Sequence, residues 1–144
     1  MIVRQILKSK GATVTAVPVA EPVVNVVTLL NEACIGAVLV LDAFGKPAGI
    51  LSERDIVAGL AANGAGVLDA PAESLMTADL ITCSPNDHID ELMRVMTNRR
   101  IRHLPVLENG HLAGVISIGD LVKARIAELE TEGEALQRYI GAGA

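Results

Sequence analysis

Apolar residues fall along the chain in two arrays that superimpose when the sequence is shifted by 66 positions. Residues 14–42, VTAVPVAEPVVNVVTLLNEACIGAVLVLD, align without a gap with residues 80–108, LITCSPNDHIDELMRVMTNRRIRHLPVLE. Val23, Val26, Leu29, Leu30 and Ile35 then meet Ile89, Leu92, Val95, Met96 and Ile101. Recurrence at three and four residues predicts an amphipathic helix in each array. The apolar runs that follow, AVLVL and HLPVL, predict strands, each joined through a Gly-containing turn to a second strand, AGILS or LAGVIS. Short extended segments, TVTAV and LITC, precede the helices, and a helix closes each array: SERDIVAGLAAN in the first, SIGDLVKARIAELETEGEALQRYI in the second. The order β-α-β-β-α therefore occurs twice, and a repeat of this kind governs the whole fold.

The segment NGAGVLDAPAE, rich in turn formers, separates the copies. It sets expected limits of 1–70 for the first repeat and 71–144 for the second, which ends in the long helix. Just after it, SLMT resembles the amphipathic lead-in QILK of the first copy. A unit of about 70 residues buries little apolar surface alone, so the two are expected to pack as one compact pair.

One turn is repeated with different filling. GILSERDI (residues 49–56) and GVISIGDL (residues 114–121) share Gly49, Ser52 and Asp55 with Gly114, Ser117 and Asp120. The offset here is 65 because the turn DAFGKPA is one residue longer than its counterpart ENGHLA. Ser-x-x-Asp at a helix start has two readings. In one it is a capping box, with the Ser hydroxyl and the acid satisfying the free N–H groups of the first turn. In the other the helix N-terminus receives a phosphate and the Asp accepts from ribose hydroxyls. The run RRIRH, residues 99–103, is similarly double. Arg99 and Arg100 suit a helix C-terminus, whereas Arg102 and His103 open the following strand.

GILSERD, GVISIGD, the hairpin RHLPVLENGHLAGVIS and the segment ITCSPNDHIDELMRVM resemble a tandem pair of cystathionine-β-synthase (CBS) domains, over essentially the whole chain. The resemblance implies an α+β fold, two repeats packed as a pseudo-twofold pair (a Bateman module), as in bacterial stand-alone CBS proteins. It also implies a regulatory sensor for an adenosine-containing ligand such as AMP, ATP, NAD or S-adenosylmethionine, with no catalytic cofactor. Carried over residue by residue, the ribose acceptors are Asp55 and Asp120, with Ser52 and Ser117 beside them. Phosphate contacts fall on His103 and Arg102, and the strand starts Gly36, Ala37 and Val38, or Leu104 and Pro105, line the same places. The first copy has Gly36 and Ala37 where the second has Arg102 and His103, so Arg54 is the compensating cation and the two sites are expected to differ. Thr15 and Val17, with Thr82, Ser84 and Pro85, are candidates for the adenine, and each also suits a plain strand or turn role. Lys10 and Gly11 are placed to reach a phosphate from the lead-in.

Composition narrows the alternatives. The 144 residues carry a formal net charge of −5 with Phe44 and Tyr139 as the only aromatics and no Trp, which disfavours nucleic acid as a partner. No apolar stretch approaches the ~20 residues of a membrane helix, and the start MIVRQILKSKG has helical spacing without a secretory apolar block. A cytoplasmic protein is expected. Cys34 and Cys83 read as two buried thiols, and His88, His103 and His111 are too irregularly placed for a metal site. No nucleophile has an evident base and orienting group, so the chain reads as a non-enzyme. The rival readings are a partner-binding protein with empty sites and, behind it, a metal-assisted nucleotide hydrolase using Asp55 or Asp120. Leu121, Val122, Ile126, Leu129, Leu136 and Tyr139 on the last helix suit a homodimer, and an effector protein would receive the signal.

Overall fold

The computed structural model describes residues 1–11 and 13–143. It divides into two compact units, Thr13–Ile81 and a second made of Met1–Ala12 with Thr82–Ala144. The lead-in of each sequence repeat thus belongs to the compact body of the other. The limits 1–70 and 71–144 describe the repeats as sequence; compactness trades residues 1–12 for residues 71–81.

In the unit 13–81, β1 (Ala16–Pro18) leads to α2 (Val23–Ala33), then to β2 (Ala37–Leu41), β3 (Pro47–Ser52) and α3 (Glu53–Asn63); α1 (Val3–Lys10) precedes them in the chain. The sheet order is β1-β2-β3, with β1 parallel to β2 and β2 antiparallel to β3. Val17, Val23, Val26, Leu30, Val38, Val40, Leu51, Ile56 and Ala72 form its core. The three- and four-residue apolar spacing of α2 puts Val23, Val26 and Leu30 on this buried stripe. Residues 71–81 close the unit through a short 3-10 turn, Ala72–Ser74, and a bridge between Ile50 and Thr77.

In the other unit, α4 (Ile89–Arg99) is followed by β4 (His103–Glu108), β5 (His111–Ser117) and α5 (Ile118–Gly143). The strands form an antiparallel hairpin turned by Asn109 and Gly110, whose φ angles of 53° and 78° suit the tight turn that matches strand twist. The extended segment expected at LITC is reduced to a bridge between Cys83 and Val106. Its ladder stops there because the residues that would extend it are prolines: Pro85 has no N–H to carry the pairing past Cys83, and Pro105 has none to offer Ile81 O. Likewise, the strand expected over TVTAV is displaced to Ala16–Pro18, with Thr15 contributing only its carbonyl, to Leu39 N–H.

Matched details run through both units. Helices α2 and α4 each end on a residue in the left-handed region, Cys34 at φ 53° and Arg100 at φ 54°. Both hairpins shift register at corresponding places, between Val40 and Leu41 and between Val106 and Leu107. Cys83 is buried as expected, but Cys34 is exposed. The correction has a simple cause: as the C-cap of α2, Cys34 lies past the last buried turn, which ends at Leu30.

Candidate functional site

In each unit the hairpin register brings a strand start beside the start of the closing helix. His103 lies opposite Ser117, and Ala37 opposite Ser52. A backbone bond fixes each corner further: Ile118 N–H donates to Arg102 O at 2.8 Å, and Glu53 N–H to Gly36 O at 3.0 Å. The residues set 66 and 65 apart in sequence therefore build the same corner twice.

Both Ser-x-x-Asp turns are capping boxes. Asp55 N–H donates to Ser52 Oγ at 3.2 Å while Ser52 N–H and Ser52 Oγ donate to Asp55 Oδ2, each at 3.0 Å. Asp120 N–H donates to Ser117 Oγ at 3.1 Å, and Ser117 N–H to Asp120 Oδ2 at 2.8 Å. The bonds satisfy first-turn N–H groups and hold each carboxylate at a fixed orientation. Asp55 and Asp120 are half-buried, so capping leaves part of each carboxylate at the surface.

Each Asp also receives a side chain from the exchanged lead-in. Lys10 Nζ donates to Asp120 Oδ2 at 2.6 Å and to Val115 O at 2.9 Å. Thr77 Oγ1 donates to Asp55 Oδ1 at 3.3 Å. Burial raises the pKa of Asp120, but the Lys10 hydrogen bond, the Ser117 N–H and the Lys10 charge together outweigh it. The carboxyl sits below its ordinary value of 3.8. The lead-ins reach these places by crossing the repeated glycines. A Cβ on Gly114 would stand 2.7 Å from Leu7 Cδ2, and one on Gly49 would stand 2.5 Å from Met76 Sδ and 2.9 Å from Thr77 O. The repeated Gly was the sequence signal for this crossing; Thr77 carried none and was missed.

The remaining candidates divide by burial. The side chains of Val17, Val38, Leu104 and Pro105 are buried, so these residues offer a ligand only backbone groups. Ser84 Oγ accepts from Asn86 N–H, and Pro85 O from Arg4 N–H on α1, so both are engaged in holding the turn before α4. Arg54, Arg102 and Thr82 are exposed, while Thr15, Gly36, Ala37 and His103 are half-buried. Gly11 lies at the end of α1, donating its N–H to Leu7 O. Among the described residues no group of three His, Cys, Asp or Glu could hold a metal ion, and no helix is long and apolar enough to cross a membrane.

The family model described as the CBS domain matches the chain twice, over residues 3–62 and 72–127. The crystal structure of the CBS-domain containing protein ATU1752 from Agrobacterium tumefaciens is 44% identical, with a TM-score of 0.84 over 86% of this chain and 92% of that one. The mitochondrial CBS domain-containing protein CBSX3 of Arabidopsis thaliana is 30% identical over 98% of this chain and 72% of its own length. The CBS domain pair of protein MJ0100, solved in complex with 5′-methylthioadenosine and S-adenosyl-L-methionine, shares the fold at 21% identity. Its TM-score is 0.78 over 89% of this chain and 98% of that one.

Proposed function

The chain belongs to the CBS-domain family, carrying two CBS domains, and we propose that it is a regulatory module that binds an adenine nucleotide of the AMP, ATP or NAD type and signals occupancy to a partner protein. The observation that carries this reading is the corner built by His103 and Ser117, where the Asp120 carboxylate, the Lys10 ammonium and a helix start converge. A ribose needs a fixed acceptor, and a phosphate needs cations and a helix N-terminus. The corner of the other unit, with Ala37, Ser52, Asp55 and Thr77, has the fixed acceptor but fewer cations, Arg54 being the nearest in sequence. It suits a ligand of lower charge. That the CBS pair of MJ0100 holds two adenosine derivatives supports the choice of ligand class.

In this reading the ribose hydroxyls donate to Asp120 while the phosphate takes the Lys10 ammonium, with Arg102 and His103 close by. Ligand binding then changes how α1 is held against β5, and any partner that distinguishes the two arrangements reads the signal. Nothing in this scheme requires bond cleavage, and we assign the protein a binding rather than a catalytic role, in the cytoplasm.

Calorimetric titration of ligand-stripped protein with AMP, ATP, NAD and S-adenosylmethionine tests the proposal, beside Asp120→Asn and Asp55→Asn. Binding that is lost with one substitution and kept with the other supports a ribose-reading site and says which unit holds it. At a hundredfold excess over its dissociation constant the true ligand also stabilises the fold by about 2.7 kcal/mol. No heat with any of the four, and no thermal stabilisation, overturns it in favour of a partner-binding protein with empty sites.

A further inference from the structure

Thr77 places its hydroxyl on Asp55 and exchanges both backbone bonds with Ile50: Thr77 N–H donates to Ile50 O at 2.8 Å and Ile50 N–H to Thr77 O at 3.0 Å. Ile50 stands on β3 two residues before Ser52, so this end of the lead-in is tied to the Asp55 corner. Five positions on, Thr82 opens the other unit. Its neighbour Cys83 is tied in turn to β4, donating its N–H to Pro105 O at 3.0 Å and accepting from Leu107 N–H at 2.9 Å. Pro105 stands two residues after His103, on the strand that opens the Asp120 corner. One short run of chain therefore leaves one corner and enters the other.

Between its ends this run is lightly held. Ala78 and Asp79 are exposed, Leu80 and Ile81 half-buried, and a bond of 3.0 Å from Leu80 N–H to Ala78 O lies within the run itself. The first lead-in repeats the span in the opposite sense. Lys10 lies on Asp120, and five positions on, Thr15 O accepts from Leu39 N–H at 3.1 Å, two residues past Ala37. A side chain that touches one carboxylate is thus joined through five residues to the strand start beside the other, once in each direction. Over so few residues, fixing one end removes backbone freedom from the other.

Resting on the reading of the two corners as nucleotide sites, we infer that the sites are coupled through these lead-ins, the filling of one pre-ordering the other. A nucleotide at the Asp120 corner engages Thr82 and fixes that end of the run, so a ligand at Asp55 meets a Thr77 already ordered. A ligand at Asp55 engages Thr77, whose hydroxyl lies on the same carboxylate, and orders the run toward Cys83. The freedom lost by the run is lost once for two ligands, which is positive coupling without a change in either hairpin.

Amide exchange followed by NMR tests the coupling, because Thr77 N–H and Cys83 N–H report the two ends separately. In Asp55→Asn, which leaves the Asp120 corner to read the ribose, AMP is expected to slow exchange at Thr77 about fivefold or more. In Asp120→Asn, adenosine is expected to slow exchange at Cys83 to a similar degree. Three glycines inserted after Asp79 should leave binding at each corner in place and abolish both distant effects. Binding without protection of the far amide overturns the inference and leaves the nucleotide sites standing. Protection that survives the insertion overturns it as well, since the route then lies outside the lead-in. If calorimetry shows neither ligand binding to its variant, the ribose-reading corners are themselves refuted, and the coupling falls with them.

Discussion

Lys10, on the first helix, donates to Asp120 Oδ2 at 2.6 Å across 110 residues of sequence. The contact joins the lead-in of the first repeat to the motif of the second. In the other unit Thr77 stands in the same relation to Asp55. Two corners alike in backbone therefore differ in what their carboxylate receives from the lead-in, an ammonium at Asp120 and a hydroxyl at Asp55.

This difference predicts an effect on ligand selectivity. Lys10→Met is expected to weaken binding of AMP at the Asp120 corner by about tenfold, roughly one charge-assisted hydrogen bond, while changing adenosine affinity much less. Lys8→Met, an exposed lysine of the same helix, serves as the control. Calorimetry with AMP and adenosine separates the cases, and equal losses for both ligands would assign Lys10 a structural role only.

Acid sensitivity follows from the depressed pKa of Asp120. The unfolded chain binds this proton near the ordinary 3.8, and the folded chain only at lower pH. The carboxylate's contribution is therefore complete above the unfolded value and is lost as pH falls through the folded one. Urea midpoints measured from pH 6 down to pH 2.5 are expected to fall less steeply in Asp120→Asn than in the parent. The half-exposed pair with Lys10 adds about 0.5–1 kcal/mol at neutral pH, and the cap about 1 kcal/mol.

The repeated glycines should not be equally replaceable. Gly49→Ala sets a methyl against the Thr77 carbonyl as well as Met76, and backbone does not step aside; a loss of about 1–3 kcal/mol is expected. Gly114→Ala meets only the end of the Leu7 side chain, which can turn away, so its loss should be below about 1 kcal/mol. Chemical denaturation of the two variants side by side checks the order.

Thiol labelling distinguishes the cysteines. Burial, with Asp87 adding to it, pushes the Cys83 thiol up to about 12, so at neutral pH it is both protonated and covered. Cys34 is exposed. A thiol-reactive probe followed by mass spectrometry should modify Cys34 in the folded protein and Cys83 only after denaturant is added.

What the sequence revealed and what it hid have physical causes. The helices α2 and α4 were legible because their buried rows repeat residue for residue, Val23, Val26 and Leu30 against Ile89, Leu92 and Met96. The paired corners were legible because a hairpin fixes which residues face each other, His103 with Ser117 and Ala37 with Ser52. The segment LITC has the composition of a strand, but a parallel ladder needs N–H groups at alternate positions, and Pro85 on one side and Pro105 on the other have none to give. Cys34 looked buried by residue type, whereas its place one turn beyond Leu30 decides its exposure. Lys10 could be suspected from charge alone; that it meets Asp120 rather than a residue of its own repeat depends on tertiary packing that no periodicity encodes.

The trading of lead-ins bears on how such a chain can be divided or inherited. A cut anywhere between Asn63 and Pro71 yields halves that each carry a segment fitted to the other body and lack the one fitted to their own. A lone repeat has a glycine-floored strand with nothing to lie across it, and two separate repeats could complete themselves only by exchanging ends. Joining them in one polypeptide converts an exchange between molecules into one within a molecule, so that each half becomes a standing condition for the integrity of the other.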